Sequence, residues 1–309
     1  MKKPELLVTP ANVTEVEGLV DAGATAVMVG EEEYGIRLAG EFNRDDIENA
    51  LKIAHQKGAK VYVAMNALFH NESLPKLPDY IQFLSKIGVD AIVFGDPAVL
   101  MSVREHAPEL KLHWNTETTA TNWYSANYWG RKGSTRAVLA RELNMDSIVE
   151  IKEKAEVDIE VQVHGMSCMF QSKRLLLGNY MTFQGKDLQI SGRGKNQNLI
   201  LHDPERKAKY PIWEDKNGTH IMSPKDMCMI DELEELFEVG VDSFKIEGIQ
   251  KDYSYMRQVT SLYREAIDLY FLHPDKYNGQ KENLFTELKR IQPSNRVLDT
   301  GFFFKETVY

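Results

Sequence analysis

The chain has 309 residues, of which 43% are hydrophobic and 27% are charged, and it carries a formal net charge of −9. This composition excludes a disordered protein, a collagen and a coiled coil, and it suffices for one large domain or two ordinary ones. No apolar run reaches the roughly 18 residues that cross a bilayer, and the first residues contain no signal-type apolar stretch. Two cysteines allow no disulfide framework, so we expect a cytoplasmic protein without a membrane partner.

A short apolar run followed by a turn and a helical period recurs along the chain. Eight such runs begin near Glu5, Ala26, Lys60, Ala91, Lys111, Arg136, Asp158 and Val241. Between them the periodicity is helical, and Asn43 is expected to cap one helix with Asp45 and Asp46 in its first turn. Strands that alternate with helices must run parallel, and eight units predict a (β/α)8 barrel over residues 1–272. A doubly wound open sheet is the alternative, but it gives no reason for the number eight.

One connection is much longer than the others. After Gly165, which ends predicted strand seven, residues 166–222 separate the strand from the next predicted helix. That helix is expected to begin with Ser223 as N-cap and Pro224 at its first position and to run to Val239. An insertion after a strand emerges at the C-terminal face of a barrel, where barrel enzymes have their active sites. At the other end of the chain, residues 273–309 are expected to form a C-terminal tail that packs on the barrel.

The insertion is basic although the chain is acidic. Residues 171–220 contain nine Lys or Arg against five Asp or Glu, a net charge of +4, so the rest of the chain carries −13. The insertion also holds Tyr180, Phe183, Tyr210 and Trp213. Cations and aromatic rings together are typical of a surface that contacts phosphates and stacks on bases, whereas a solvated loop of average composition is the alternative. The predicted RNA-binding residues are Lys173, Arg174, Arg193 and Lys195.

Polar residues alternate with apolar ones along three predicted strands. On strand seven this alternation turns Glu160, Gln162 and His164 toward the barrel interior. The inward sets on strands eight and five are Ser243, Lys245, Glu247, His113, Asn115 and Glu117. Burying so many ionisable groups is costly unless they pair with one another or bind a ligand.

The ends of other strands add polar residues at the predicted mouth of the barrel. Two cations there, Arg141 and Lys245, would suit a small substrate with carboxylate groups, and an ion pair between Lys245 and Glu247 is the alternative. Paired acids and bases in a desolvated mouth can have the shifted pKa values that proton transfer needs. The predicted catalytic residues are Arg141, Glu142, His164, Lys245, Glu247 and Glu117. The predicted substrate-binding residues are Asn66, Asp96, Asn115 and Glu160.

The two cysteines lie on either side of the insertion. Cys168 follows strand seven, and Cys228 is predicted in the first turns of the next helix, so the topology could bring them together. Two thiolates do not complete a metal site, although His164 would be a third ligand; two inert thiols are the alternative. The sequence contains no GxSxG, HExxH or P-loop motif, and Cys168 with His164 as its base is the one nucleophile pair that it suggests.

Four stretches resemble peptidase family U32, the collagenase-like proteases. They are EVQVHGMSCMFQSKRLLLGNYM at residues 160–181, LARELNMDSIVEI, SPKDMCMIDELEELFEVGVDSFKIEG and the ending SNRVLDTGFFF. The resemblance covers nearly the whole chain, from YGIRLAGEFN onward. The short form is most similar to the branch implicated in forming 5-hydroxyuridine at the tRNA wobble position. Related branches act in tRNA or ribosomal RNA hydroxylation or in oxygen-independent ubiquinone hydroxylation.

The resemblance implies an RNA-hydroxylation component with tRNA as partner and prephenate, or a similar small dicarboxylate, at Arg141 and Lys245. Four-cysteine members of the family are thought to hold an iron–sulfur cluster. Cys168 and Cys228 match the first and last positions, but Leu175 and Asn196 occupy the other two. An autonomous cluster is therefore not expected, and a longer four-cysteine relative is expected as hetero-partner. The family name makes a peptidase the second interpretation, and a non-catalytic partner subunit is the third.

Overall fold

The computed structural model describes residues 2–115, 119–186, 189, 192 and 194–306. In these residues, eight parallel strands close into a barrel. The first seven are β1 (Glu5–Val8), β2 (Ala26–Val29), β3 (Lys60–Met65), β4 (Ala91–Phe94), β5 (Leu112–Trp114), β6 (Ser134–Val138) and β7 (Asp158–Ser172). The eighth, β11 (Ser243–Glu247), pairs with both β1 and β7 and so closes the barrel. The predicted (β/α)8 architecture is confirmed.

Helices cover the outside of the barrel. Their bounds are α1 (Val13–Asp21), α2 (Arg44–Gln56), α3 (Leu77–Ile87), α4 (Pro97–His106), α5 (Trp123–Arg131), α6 (Met145–Lys154) and α9 (Tyr253–Leu272), with a short 3-10 turn at Leu74–Lys76. The start of α2 shows how the sequence sets such a boundary. The Asn43 side chain accepts from the Asp46 N–H at 2.9 Å, and the Asp46 carboxylate accepts from the Asn43 N–H at 3.1 Å. This reciprocal capping box confirms the predicted cap.

The long insertion is an arm built largely of antiparallel strands. We call residues 166–228 the arm. Its elements are the outer part of β7, α7 (Leu176–Phe183), a 3-10 turn (Lys195–Gln197), β8 (Ile200–Asp203), β9 (Ala208–Asp215) and β10 (Gly218–Cys228). β7 leaves the barrel at Gly165, whose φ is +99° and whose added Cβ would lie 2.3 Å from the Glu247 carbonyl oxygen. Only glycine fits a backbone approach this close.

The helix predicted from Ser223 to Val239 is wrong over most of its length. Residues up to Cys228 belong to β10, and the helical part is α8 (Glu234–Glu238). β10 takes its backbone partners from β7, which continues beyond the barrel, and its pairing shifts register between Met222 and Asp226. Ser223 and Pro224 lie in this irregular stretch, where a proline is tolerated in a sheet. Long-range pairing therefore overrides a local sequence pattern typical of a helix start.

The C-terminal residues return to the arm. They form α10 (Pro274–Asn278), α11 (Lys281–Ile291) and β12 (Leu298–Asp299), and β12 pairs in parallel with β10. Asp226 anchors this segment: Arg296 Nη2 lies 2.5 Å from its Oδ1, and Gln292 donates to its Oδ2 at 2.7 Å. Lys251 also pairs with this fully buried carboxylate. Burial alone would raise the pKa of Asp226, but the charges of Lys251 and Arg296 lower it to about 2.

The core is divided by the barrel wall. A large apolar cluster fills the space between strands and helices. Inside the barrel a small apolar cluster comes chiefly from β1 to β4, with Leu7, Met28, Tyr62 and Val93 among its members. The side formed by β5, β6, β7 and β11 carries polar side chains instead. No helix in the described ranges is long and apolar enough to span a membrane.

Candidate active site at the barrel mouth

A buried ion cluster occupies the N-terminal end of the barrel interior. Arg136 Nη1 lies 2.6 Å from Glu5 Oε1 and 3.1 Å from Glu160 Oε2. The Tyr62 hydroxyl donates to Glu5 Oε2 at 2.6 Å. Although burial alone would lower the pKa of Arg136, the carboxylates of Glu160 and Glu5 raise it. Glu160 thus faces the interior as predicted, but its carboxylate pairs with an arginine at the end opposite the mouth.

Lys245 and Glu247 lie on β11 and neutralise each other. Lys245 Nζ is 3.0 Å from Glu247 Oε2, and both side chains are buried. Glu247 Oε1 also accepts a hydrogen bond from the Thr9 hydroxyl at 3.0 Å. Neither side chain of the pair lines the cavity at the mouth. The alternative of an ion pair is the arrangement observed, and Lys245 is not among the residues that line the mouth cavity.

A cavity of about 340 Å³ opens at the carboxyl ends of the strands. We call it the mouth cavity. Its lining is Ile36, Arg37, Asn66, Leu68, Gly95, Asn115, Arg141, Cys168, Met169, Phe170 and Gln171. Asn66, Asn115 and Arg141 were predicted to lie here. Amide and guanidinium groups that converge on one concave space can recognise a small anion, and the apolar lining can cover its carbon skeleton.

Arg37 is the second cation of the mouth cavity, and it is not among the residues predicted from strand ends or alternation. Its side chain is buried, and its backbone φ of +54° is rare for a residue other than glycine. The loop that carries it is tied to β3, because the Ile36 N–H donates to Asn66 Oδ1 at 3.0 Å. The available signal was its position: an arginine among small and apolar residues in the loop after predicted strand two.

Arg141 is held in place by a buried glutamine. Its Nε donates to Gln162 Oε1 at 2.5 Å, and the Gln162 amide donates to the carbonyls of His164 at 3.3 Å and Met166 at 3.2 Å. Gln162 therefore fixes the guanidinium relative to the point where β7 leaves the barrel. A second cavity of about 280 Å³ shares Arg141, Cys168 and Met169 with the mouth cavity. Arg141 thus lies between the two spaces.

Two other predicted residues have different surroundings. Glu142 is exposed and lines the second cavity rather than the mouth cavity. Asp96 lies at the end of β4 as expected, but its oxygens accept from the N–H groups of Ala98 at 2.9 Å and Phe69 at 3.1 Å. Its carboxylate therefore caps α4 and fixes the loop after β3. Glu117 lies outside the described residues.

His164 does not face the barrel interior as predicted. β7 pairs with β11 as Gln162 with Lys245 and then His164 with Ile246, so Val163 is one extra residue. This is a β-bulge, and a bulge changes the face on which the following side chain lies. Alternation along the sequence cannot reveal it, because the extra residue appears only when the strand is paired.

The bulge places the His164 ring against α9. Its Nε2 is 2.7 Å from the Tyr255 hydroxyl, and its Nδ1 is 3.4 Å from the Tyr263 hydroxyl. Burial lowers the pKa of His164 to about 3. The ring is therefore neutral at physiological pH and stands outside the mouth cavity, so the catalytic role expected from its predicted orientation loses its basis.

The two cysteines do not converge. Cys228 is on β10 and pairs with His164 on β7. Cys168 lies on β7 itself, four residues beyond His164, and pairs with Met222 on β10. Burial raises the pKa of Cys228 to about 12, which disfavours its thiolate. Among the residues that the structure describes, no three His, Cys, Asp or Glu side chains are grouped to hold a metal ion. This donor set does not fit a cluster bound by the chain alone.

The predicted RNA-binding residues divide into two groups. Lys173 and Arg174 are exposed on the arm. Lys195 instead donates to the carbonyls of Leu38 and Ala39, at 2.9 Å each, and burial lowers its pKa. Arg193 lies outside the described residues. Phe170, Tyr180 and Phe183 are exposed aromatic residues of the insertion.

One of the aromatic residues expected to stack on bases lies in the core instead. Trp213 is buried in the small cluster of Met166, Met222 and Ile249, and its ring stacks on His220 at 5.4 Å. It packs where the arm meets the barrel, and because its ring is buried it cannot stack on a base.

Three comparisons place these features among known proteins. The sequence model of Peptidase family U32 matches residues 11–308. The chain is 63% identical over 309 residues to tRNA hydroxylation protein P2 of Bacillus subtilis (strain 168), with 100% of both sequences covered. It is 35% identical over 303 residues to tRNA hydroxylation protein P1 of that strain, covering 98% of this chain and 71% of P1. The solved structure of a U32 peptidase matches with a TM-score of 0.50 at 15% identity, covering 79% of this chain and 92% of that one; it supports the fold alone.

Proposed function

We propose that this chain, which belongs to peptidase family U32, acts in the hydroxylation of tRNA and contributes to 5-hydroxyuridine at the wobble position. The observation that carries the proposal is the full-length match to a tRNA hydroxylation protein. A barrel fold is compatible with many reactions, so the function must be argued from the relatives and from the site. The mouth cavity lies where barrel enzymes bind their substrates.

In this proposal the mouth cavity binds a small dicarboxylate such as prephenate. Arg37 and Arg141 both line it, and a guanidinium can donate two parallel hydrogen bonds to a carboxylate. Asn66 and Asn115 also line it, and their amides would hydrogen-bond the polar groups of such a molecule. Lys245 and Glu247 are not part of this contact set, because their charges are paired with each other and neither residue lines the cavity.

The iron–sulfur chemistry associated with the family would come from a second protein. Replacing a C–H bond of uracil by C–OH is a two-electron oxidation that needs an oxygen donor and an electron acceptor. The separated cysteines of this chain, with Leu175 at a family cysteine position, do not form a cluster site. We therefore include a longer four-cysteine family member as hetero-partner, with this chain supplying the dicarboxylate site and the arm.

The geometry does not favour the peptidase interpretation. The pair suggested by the sequence is not assembled, because His164 Nε2 is engaged by Tyr255 on the α9 side of β7. Cys168 lies at the boundary of the two cavities, with its sulfur 3.5 Å from the Phe170 carbonyl oxygen. A general base must come within hydrogen-bond reach of the nucleophile that it activates.

The proposal is tested by mass spectrometry of tRNA nucleosides from a strain of the source organism that lacks this chain. We expect 5-hydroxyuridine and its derivatives to disappear and to return when the chain is supplied on a plasmid. Unchanged nucleosides in the deletion strain would refute the proposed function. Cleavage of denatured collagen by the pure chain, abolished by Cys168→Ala, would instead support the peptidase interpretation.

A further inference from the structure

Helix α7 is apolar and the arm leaves it largely uncovered. Its sequence is LLGNYMTF, and Gly178 is its one buried residue. Leu176 is 41% exposed, Tyr180 59% and Phe183 84%. A helix of eight residues is not stable in water by itself, so contacts with the rest of the protein must hold it in place.

The arm fixes α7 by its N-terminus. The buried carboxylate of Glu214 accepts from the N–H groups of Leu177 at 2.5 Å and Gly178 at 3.1 Å. The Thr219 hydroxyl accepts from the Leu176 N–H at 2.8 Å and donates to Glu214 at 2.7 Å. These contacts satisfy the helix terminus within the protein. The surface left for a partner is therefore the exposed side of α7, not its N-terminus.

The sequence that leads into α7 and runs through it to Lys186 carries positive charges and no acidic residue. Residues 161–186 contain no Asp or Glu, although the chain has 46 acidic residues in all. Lys173 and Arg174 precede the helix and Lys186 follows it, and all three are exposed. Exposed aromatic rings flanked by cations, without carboxylates, are what a single-stranded nucleic acid requires: the rings stack on bases and the cations contact phosphates.

The surface of α7 continues into the mouth cavity. Lys173 Nζ donates to the Leu68 carbonyl at 3.4 Å, and Leu68 and Phe170 both line that cavity. These two side chains are 58% and 63% exposed. An RNA strand that lies along α7 would thus bring a neighbouring base to the mouth cavity, the proposed dicarboxylate site.

We propose that α7 is a stacking platform for a single-stranded segment of the substrate RNA. Tyr180 and Phe183 stack on bases, and Lys173, Arg174 and Lys186 contact the phosphates on either side. The inference rests on the proposed function for the identity of the RNA. A protein groove or an anionic membrane would also cover an apolar helix, but two of the three large exposed side chains on α7 are aromatic, and the exposed charged residues within 161–186 are all cations.

The test is binding of the full-length chain to a fluorescently labelled anticodon stem–loop RNA, followed by anisotropy at several salt concentrations. We expect Phe183→Ala to weaken binding by about tenfold and Phe183→Tyr to restore it, because tyrosine keeps the stacking face. Lys186→Gln should lower the slope of log affinity against log salt by about one. The matched controls are Tyr124→Ala on α5 and Lys86→Gln on α3, both exposed positions on the barrel helices, which should leave affinity and slope unchanged.

Three results would overturn the inference. One is unchanged RNA affinity in a Phe183→Ala chain whose circular dichroism and melting temperature match the wild type. The second is a Phe183→Ala chain that no longer binds phosphatidylglycerol vesicles but still binds the RNA normally. The third is a Phe183→Ala chain that no longer binds the four-cysteine relative but still binds the RNA normally. Unchanged RNA affinity together with normal hydroxylated nucleosides in a Phe183→Ala strain would refute the platform and leave the proposed function standing. Normal nucleosides in the deletion strain would refute the proposed function itself.

Discussion

Arg37 and Arg141 reach the mouth cavity by different routes, and both routes are constrained. Arg37 is carried by a loop whose backbone is in the left-handed region, a conformation that costs about 1 kcal/mol or more for a residue with a side chain. Arg141 is oriented by Gln162, which is buried and held to the backbone of β7. Strained or buried polar groups that converge on one cavity are characteristic of a ligand site.

His164 gives a prediction for stability at low pH. Its pKa is about 3 in the folded chain and about 6.5 in an unfolded chain, so as pH falls the unfolded state takes up the proton first. The stabilisation is complete above about pH 6.5 and is lost progressively as pH falls toward 3. Between pH 7 and pH 5 this one residue should remove about 2 kcal/mol from the free energy of unfolding.

Urea unfolding of the wild type and of His164→Gln at pH 7 and pH 5 measures this effect. Glutamine cannot take up a proton but can still donate to Tyr255, so the difference between the two pH values should shrink by about 2 kcal/mol in the variant. His70→Gln, at an exposed position, is the control and should behave like the wild type. An equal pH dependence in His164→Gln and wild type would show that the ring is not buried as described.

At the scale of the elements, the arm gives a prediction about its own helix. Glu214→Ala removes the carboxylate that accepts from two N–H groups at the start of α7, and loss of such a cap costs about 1–2 kcal/mol. Hydrogen exchange of residues 176–183 should therefore accelerate by roughly tenfold, while β1 to β6 keep their protection. Glu205→Ala, at an exposed position between β8 and β9, is the control. Unchanged exchange in α7 would mean that other contacts hold the helix.

The elements also show which parts of the fold local sequence can predict. The eight barrel strands and the cap at Asn43 follow from alternation, periodicity and turn residues, which act over a few neighbours. The strand that replaces the expected helix at Ser223 depends on β7, which lies more than 50 residues away in sequence. The orientation of His164 depends on the bulge against β11. Neither feature leaves a signal within its own segment.

The same limit applies to the site. Asn66, Asn115 and Arg141 could be placed at the mouth because they lie at or just after predicted strands. Lys245 and Glu247 also fit that pattern, and only side-chain geometry shows that they pair with each other. Arg37 comes from a loop without regular structure, for which periodicity predicts nothing. The sequence therefore predicts which strands carry polar side chains into the barrel. It does not predict which of those side chains line the mouth cavity.

At the scale of the whole molecule, the barrel, the arm and the C-terminal segment meet at Asp226. Asp226 on β10 binds Arg296 and Gln292 of the C-terminal segment and Lys251 next to α9. Gln292 in turn accepts from Tyr255, which contacts His164. This network positions Gly301, Phe302 and Lys305 along the second cavity, beside Arg141.

The separated cysteines give a prediction about assembly. The chain purified alone should contain no stoichiometric iron or sulfide, because its donor set does not form a cluster site. Co-expression with a four-cysteine relative from the same genome should yield a complex that contains both elements. Iron and sulfide analysis of the two preparations measures this. A full cluster on the chain alone would overturn the proposed division of roles.

The central claim is that Arg141 binds the small molecule used in tRNA hydroxylation, and one measurement tests it most directly. The strain that lacks this chain is supplied with wild type, Arg141→Ala or Arg131→Ala, the last being an exposed arginine at the end of α5. We expect Arg141→Ala to reduce 5-hydroxyuridine derivatives in total tRNA by at least tenfold at equal protein level, and Arg131→Ala to restore them fully. Full restoration by Arg141→Ala would contradict the account and leave the chain as a non-catalytic partner subunit.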